Sequence, residues 1–259
     1  MNGRTITSLT NPAVKAARGL HLRKNRDESG LFLAEGLKIV TEAVELGRAP
    51  RLLLFGPSAA DHPLLKRAAA VAGESAQVTD AILAKIARRD NPQTVLGVFE
   101  QTYTALADLD PAAARCWVAL QAVRDPGNLG TIVRTADAAG CGAVILIGDC
   151  CDPYSVEAVR ATMGSIFAVS IARCGIDEFL AWRRAWPGSV VGTMLTARTD
   201  FRAAAWRDPT LILMGNEQAG LPPELEGACD ITVKIPMRGR ADSLNLAVAT
   251  GVMIYAVTG

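Results

Sequence analysis

Ile231-Thr-Val-Lys-Ile-Pro-Met-Arg-Gly-Arg-Ala-Asp-Ser-Leu-Asn-Leu-Ala-Val-Ala-Thr-Gly-Val-Met-Ile-Tyr-Ala-Val257 divides into a strand, a loop and a helix. Ile231, Val233 and Ile235 alternate with Thr232 and Lys234 and stop at Pro236, which cannot donate to a sheet ladder. Met237 to Ala241 form the loop. Asp242 and Ser243 are good N-cap residues, and no charged side chain follows from Ser243 to Val257, so the helix is expected to be buried on nearly every face. It is shorter than the ~20 residues of a membrane span. Its polar groups, Ser243 and Asn245, cluster in the first turn, where they serve either as a cap on a core helix or as ligand contacts.

The remaining sequence supplies the sheet this segment joins. Apolar runs at Cys116–Val123 and Ala143–Ile147 flank a helical stretch near Leu129 to Ala139, a βαβ pattern that predicts a buried parallel sheet. Further runs at Ile166–Ile171, Val190–Leu195 and Leu211–Met214 extend it, with a helix expected over Asp177–Trp186. Upstream, runs at Leu31–Leu33, Arg51–Phe55, Gln77–Thr79 and Thr94–Phe99 alternate with helical patterns, predicting a small α/β domain over residues 1–105. Residues 106–115, rich in Asp, Pro and Ala, read as a linker to the domain at 116–259.

The 259 residues are 50% hydrophobic and carry a net charge of only +1, but the charge is unevenly placed. Arg4, Lys15, Arg18, Arg23, Lys24 and Arg26 all precede the first acid, Asp27, and residues 11–24 read as one basic amphipathic helix. Such an arm suits RNA phosphates; an organelle transit peptide and a solvated helix face are the competing readings. Cys116, Cys141, Cys150, Cys151, Cys174 and Cys229 show no Cys-x-x-Cys spacing and read as free thiols of a cytoplasmic protein. No apolar stretch of spanning length predicts a membrane anchor. His21 and His62 both precede residue 106, so the C-terminal domain has no histidine for a Ser-His-Asp triad or a metal, and no metal is expected.

Three loops leave the C-terminal ends of apolar strands, where open α/β sheets bind ligands: Arg124-Asp-Pro-Gly-Asn-Leu-Gly130, Gly215-Asn-Glu-Gln-Ala-Gly-Leu-Pro-Pro223 and Met237-Arg-Gly-Arg-Ala-Asp-Ser-Leu-Asn245. Neither Gly-x-Gly-x-x-Gly nor a P-loop is present. Arg134, on the helix after the first loop, reads as a site cation, a surface charge or a partner of Asp137. Trp182, Trp186 and Trp206 read as core or interface anchors, and Tyr154 and Ser155 as a helix start or a site edge. Arg238 and Arg240 suit either RNA phosphate or solvent.

In this order, Asp125-Pro-Gly-Asn-Leu-Gly-Thr-Ile-Val-Arg-Thr-Ala-Asp-Ala-Ala-Gly140, Leu213-Met-Gly-Asn-Glu-Gln-Ala-Gly-Leu221, and Ile235-Pro-Met237 with Ser243-Leu-Asn245 resemble the three motifs of the SpoU/TrmH family of the SPOUT superfamily. Thr7-Ser-Leu-Thr-Asn-Pro-Ala-Val-Lys15 and Phe32-Leu-Ala-Glu-Gly36 are similar to the substrate-binding domain that many members carry. The resemblance implies a parallel sheet with helices on both faces, closed by a deep trefoil knot. It implies transfer of a methyl group from S-adenosylmethionine to a ribose 2′-OH of RNA, rRNA ahead of tRNA. A homodimer through the C-terminal domain is implied, with Asn128 and Arg134 serving the other subunit's cofactor. Arg134, Asn128, Glu217, Ser243 and Asn245 are the implied catalytic set. Gly215, Gly220, Ile235 and Leu244 would cradle the cofactor, with Met214, Pro236 and Met237 on its adenine side; Lys15, Arg18, Arg23, Lys24 and Arg26 are the RNA contacts. A fold that binds RNA without turnover and a knotted base methyltransferase are the rival readings.

Overall fold

The computed structural model describes residues 5–259, and Arg4 of the basic arm lies outside the described residues. The first part of the chain forms β1 (Thr5–Ile6), α1 (Pro12–Gly19), α2 (Arg23–Ser29), β2 (Leu31–Glu35), α3 (Leu37–Glu45), β3 (Leu52–Phe55), α4 (Pro63–Val71), β4 (Glu74–Val78), α5 (Asp80–Ala87) and β5 (Val95–Glu100). The rest forms β6 (Cys116–Gln121), α6 (Pro126–Ala138), β7 (Ala143–Ile147), α7 (Val156–Thr162), β8 (Ser170–Cys174), α8 (Ile176–Arg183), β9 (Ser189–Thr193), β10 (Thr199–Asp200), β11 (Thr210–Met214), α9 (Pro223–Glu226), β12 (Ile231–Lys234) and α10 (Leu246–Thr258). These elements segregate into two compact units. One comprises the chain up to Gln101 together with Asp152–Phe167; the other comprises Thr102–Cys151 and Ala168–Gly259.

The first unit is built on a mixed sheet in the order β1-β4-β3-β5-β2, with β5 antiparallel to both neighbours. The expected single helix over 11–24 is two helices. Gly19 lies so close to α2 that an added Cβ would stand 2.8 Å from the Asn25 amide, which donates to the Gly19 carbonyl at 2.9 Å. α2 folds onto the end of α1 through that contact.

Asp152–Phe167 was expected to belong to the C-terminal domain, but it packs in the first unit. Its anchors are ionic and aromatic. Arg26 is 3% exposed; its Nε and Nη2 both lie 2.7 Å from Asp152 Oδ2, and its Nη1 donates to the Leu20 carbonyl at 2.6 Å. Arg160 grips buried Glu35 with two hydrogen bonds of 2.6 and 3.0 Å. The Phe32 ring stacks against Tyr154 and Phe167 at 4.7 and 5.6 Å. Arg26 is therefore not an RNA contact, because every phosphate-binding edge of its guanidinium faces the interior. Ser155 caps α7 by accepting from the Ala158 N–H at 3.2 Å, the helix-start role.

The second unit carries seven parallel strands in the order β10-β12-β9-β11-β6-β7-β8. Its central strands are buried along their length, as uninterrupted apolar runs require in a parallel sheet covered on both faces. The segment 106–115 is no free linker: Leu106 and Leu109 are buried against the sheet in the same cluster as Trp117 and Phe179. Trp186 packs edge-on against Trp117 at 5.6 Å and Trp182 lies against Trp186, so both anchor the core, while Trp206 is half-buried. The apolar run Ile166–Ile171 is not one strand; Ser165–Phe167 is a 3-10 turn of the first unit and β8 starts at Ser170.

β12 lies between β9 and β10, so residues 194–198, which join those two strands, bridge the end of β12; Met194 N–H donates to the Val233 carbonyl at 2.9 Å. The chain then returns to α10, which packs on α6 and on strands β6 and β11. The helix starts three residues later than expected: its N-cap is Asn245, not Asp242 or Ser243. It is also less enclosed than expected, with Val248 and Tyr255 more than half exposed.

Candidate functional site

The loops after β6, β11 and β12 meet at the C-terminal edge of the sheet, and their polar side chains form one hydrogen-bonded chain. Asn245 Nδ2 donates to Asn128 Oδ1 at 2.8 Å, and Asn128 Nδ2 donates to Glu217 Oε1 at 3.3 Å. Asn216 Nδ2 donates to the Ala122 carbonyl at 2.8 Å and reaches Glu217 Oε2 at 3.4 Å. Each link fixes the next. Asn245 Oδ1 accepts from the N–H groups of Ala247 and Val248 as the cap of α10, so its amide must present the NH₂ end to Asn128. Asp125 caps α6 in the same way, accepting from the Asn128 N–H at 2.6 Å. Ala122 holds a left-handed φ of 46°, a costly conformation kept where the Asn216 bond secures it.

Glycine is needed in the β11 loop for a different reason from the expected ligand approach. Asn216 and Gly220 pair across a tight turn, and a Cβ on Gly215 would stand 2.2 Å from the Gly220 carbonyl carbon. Gly220 itself has φ +71°.

Beside this polar partition lies a cavity of about 440 Å³. Met214, Gly215, Gly220, Ile235, Met237, Leu244 and Ser243 line it, together with Asn128, Glu217 and Asn245, so nearly the whole implied cradle is assembled. Pro236 is not part of its wall. Side chains alternate along an extended segment, so Ile235 and Met237 share the cavity side and Pro236 takes the other. Ser243 Oγ bonds to Asp242 Oδ1 at 3.2 Å. Thr193, Met194 and Leu195, at the end of β9, complete the wall and carry no motif that sequence reading could have flagged. The Thr193 hydroxyl is the one buried side-chain polar atom without a hydrogen-bond partner among the described residues.

Arg134 stands apart. It is exposed on α6, lines no part of the cavity, and has no ion pair with Asp137 or any other described residue. Six residues beyond Asn128, it is turned about 120° from it around the helix axis. Asn128, by contrast, lines the cavity of its own chain. No cluster of three or more His, Cys, Asp or Glu suited to a metal occurs among the described residues. All six cysteines are free, and burial pushes the Cys174 and Cys229 thiols up to about 12, leaving no thiolate nucleophile there near neutral pH.

In the first unit, Lys15 and Arg18 are exposed on α1 with no ion pair among the described residues, whereas Arg23 and Lys24 pair along α2 with Asp27 and Glu28 at 3.6 and 3.7 Å. Arg238 and Arg240 are exposed. No helix among the described residues is long and apolar enough to cross a membrane.

Replacing the N-cap tests the partition. Asn245→Ala removes the cap and one link, and a loss of about 1–2 kcal/mol in unfolding free energy is expected by denaturant titration, with methyl transfer falling further than stability explains. An unchanged variant would show that the network is incidental.

The family model described as the SpoU rRNA Methylase family matches residues 115–255, more than half of the chain. This chain belongs to the SpoU rRNA methylase family. A second model, the MRM3-like substrate binding domain, matches residues 11–97. Among relatives, the chain is 29% identical to the 23S rRNA (guanosine(2553)-2′-O)-methyltransferase RlmP of Bacillus subtilis, covering 98% of this chain and 99% of that protein. Among solved structures it is similar to an AdoMet-bound rRNA methyltransferase from Sinorhizobium meliloti, at 48% identity and a TM-score of 0.91, over 98% of this chain and 97% of that one. It is also similar to the SpoU methyltransferase AviRb from Streptomyces viridochromogenes in complex with AdoMet, at 29% identity and a TM-score of 0.83, over 96% and 97% of the two chains. The SpoU/TrmH expectation, with its parallel sheet and N-terminal substrate-binding region, is borne out.

Proposed function

We propose that this SpoU-family chain uses S-adenosylmethionine to methylate a ribose 2′-OH of ribosomal RNA, as a cytoplasmic homodimer. The observation that carries the reading is the mostly apolar cavity walled by Met214, Ile235, Met237 and Leu244 and set against a polar partition of Asn128, Glu217 and Asn245. Met214, Ile235, Met237 and Leu244 suit the flat adenine, and the backbone at Gly215, Ile235 and Leu244 supplies hydrogen bonds around it. The bound cofactor supplies an electrophilic sulfonium methyl.

This chain's own groups do the rest. Ser243 and Asn245 hydrogen-bond the acceptor ribose at the partition, and Glu217 keeps Asn128 aligned. A ribose hydroxyl is a weak nucleophile near neutral pH and gains most from being held in line. Arg134 supplies the positive charge, gripping the phosphate and 2′-OH. Its exposure and its turn away from Asn128 support a role in a second copy's cavity. The apolar surface of Val248 and Tyr255 on α10, which packs against the helix bearing Arg134, is the dimer face. The chain passing beneath residues 194–198 after β12 forms the trefoil crossing.

Transfer of a labelled methyl group from the cofactor to ribosomal RNA by the wild-type protein is the expected result; unlabelled RNA would overturn the reading. Met237→Ala tests the cavity separately: calorimetry should show S-adenosylmethionine affinity reduced roughly 10-fold, because an apolar wall beside the adenine is lost. Unchanged affinity would place the cofactor elsewhere.

A further inference from the structure

A second cavity, of about 730 Å³, borders the same partition and shares Asn128, Asn216, Glu217, Gln218 and Asn245 with the first. Its additional wall comes from Gln121 at the end of β6 and from Arg124 and Asp125 after it. The geometry points to this cavity as the pocket for the acceptor's nucleobase, with Gln121 and Gln218 as the side chains that read it. This rests on the ribose methylation proposed above, because a ribose held at the partition with its 2′-OH toward the cofactor cavity must place its base or its phosphate in the neighbouring space.

Electrostatics chooses between them. Glu217 and Asp125 bring two carboxylates to the wall, and the guanidinium of Arg124 is already engaged by Asp149 at 2.6 Å. A phosphate dianion or diester would meet uncompensated negative charge, whereas a neutral base rich in N–H donors would not. The side chains divide the same way. The amides of Asn128, Asn216 and Asn245 are held by one another, by Glu217 and by backbone groups, with one N–H of Asn245 left for the ribose. Gln121 and Gln218 are the amides of the wall with no side-chain hydrogen bond among the described residues, each carrying a donor pair and an acceptor toward whatever fills the cavity. Amides of this kind recognise base edges through paired donor and acceptor contacts, and a base entering such a pocket has to leave its stack, which favours an unpaired target nucleotide.

The test uses the full-length protein, ribosomal RNA and fragments of it that carry each of the four nucleotides at the mapped position. Gln121→Ala and Gln218→Ala are each expected to raise KM for the RNA roughly 10-fold and to flatten the preference among the four fragments, one hydrogen-bonded contact being lost. The S-adenosylmethionine affinity of Gln121→Ala, which borders only the second cavity, should stay at its wild-type value, and wild-type thermal melts show that both variants fold. Wild-type KM and wild-type preference in both variants would overturn the assignment. A second arm is independent of turnover: titration with the four nucleoside 5′-monophosphates, followed through the side-chain amide signals of the glutamines by NMR. One nucleotide shifting the Gln121 and Gln218 signals above the others supports the pocket even if no RNA is methylated, in which case the ribose reading alone falls. Equal or absent shifts at both residues reject the base pocket.

Discussion

Arg134→Ala is expected to lower single-turnover methyl transfer to ribosomal RNA by roughly 100-fold or more while leaving S-adenosylmethionine affinity within about twofold of wild type. Among the described residues Arg134 has no ion pair; it is exposed and lies outside the cofactor cavity. Its loss therefore costs little stability and no cofactor contact, and the whole effect falls on the reacting complex. An arginine guanidinium stays protonated well above neutral pH, so it orients and neutralises rather than removing a proton. Arg134→Lys should recover only part of the rate, because an ammonium cannot bridge a phosphate oxygen and a hydroxyl as a planar fork does. Mixing Arg134→Ala protein with inactive Asn245→Ala protein should restore transfer if the arginine crosses to the second copy. Absence of complementation would place Arg134 in the cavity of its own chain.

Arg26→Ala is expected to destabilise the first unit by about 3–5 kcal/mol, since it leaves Asp152 buried and charged without its partner. Asp152→Ala should do the same, and the double change Arg26→Met with Asp152→Leu should recover most of the loss. Denaturant unfolding followed by hydrogen exchange in β2 and α7 reads this effect. RNA binding separates the structural role from an electrostatic one. Lys15→Ala and Arg18→Ala, at exposed cations, should each reduce the salt dependence of RNA affinity by about one counterion, whereas Arg26→Ala should not. A stable Arg26→Ala protein with a shallower salt slope would contradict the buried pair.

Arg26 also shows where sequence reading reaches its limit. In the run from Lys15 to Arg26 it looks like its neighbours, and what distinguishes it is a carboxylate 126 positions away. The same distance concealed the membership of Asp152–Phe167 in the first unit: its short apolar run was legible, but the aromatic faces of Phe32 and Phe99 that receive Tyr154 and Phe167 were not. Leu106 and Leu109 were hidden by the aspartates, proline and alanines around them. By contrast, Asn128, Glu217 and Asn245 were legible as a group, because each stands in a loop leaving the C-terminal end of an apolar strand, and a parallel sheet brings such ends together. Of the two polar residues expected in the first turn of α10, Asn245 caps the helix and bonds Asn128, whereas Ser243 neither caps nor joins the chain of amides. Thr193 lies at the end of an ordinary apolar strand, and only its missing partner marks it.

The most direct test is to incubate the wild-type protein with methyl-labelled S-adenosylmethionine and ribosomal RNA, digest the RNA to nucleosides, and identify the labelled species. A single 2′-O-methyl nucleoside is the predicted product; a base-methylated nucleoside, or no labelled nucleoside at all, would contradict the account.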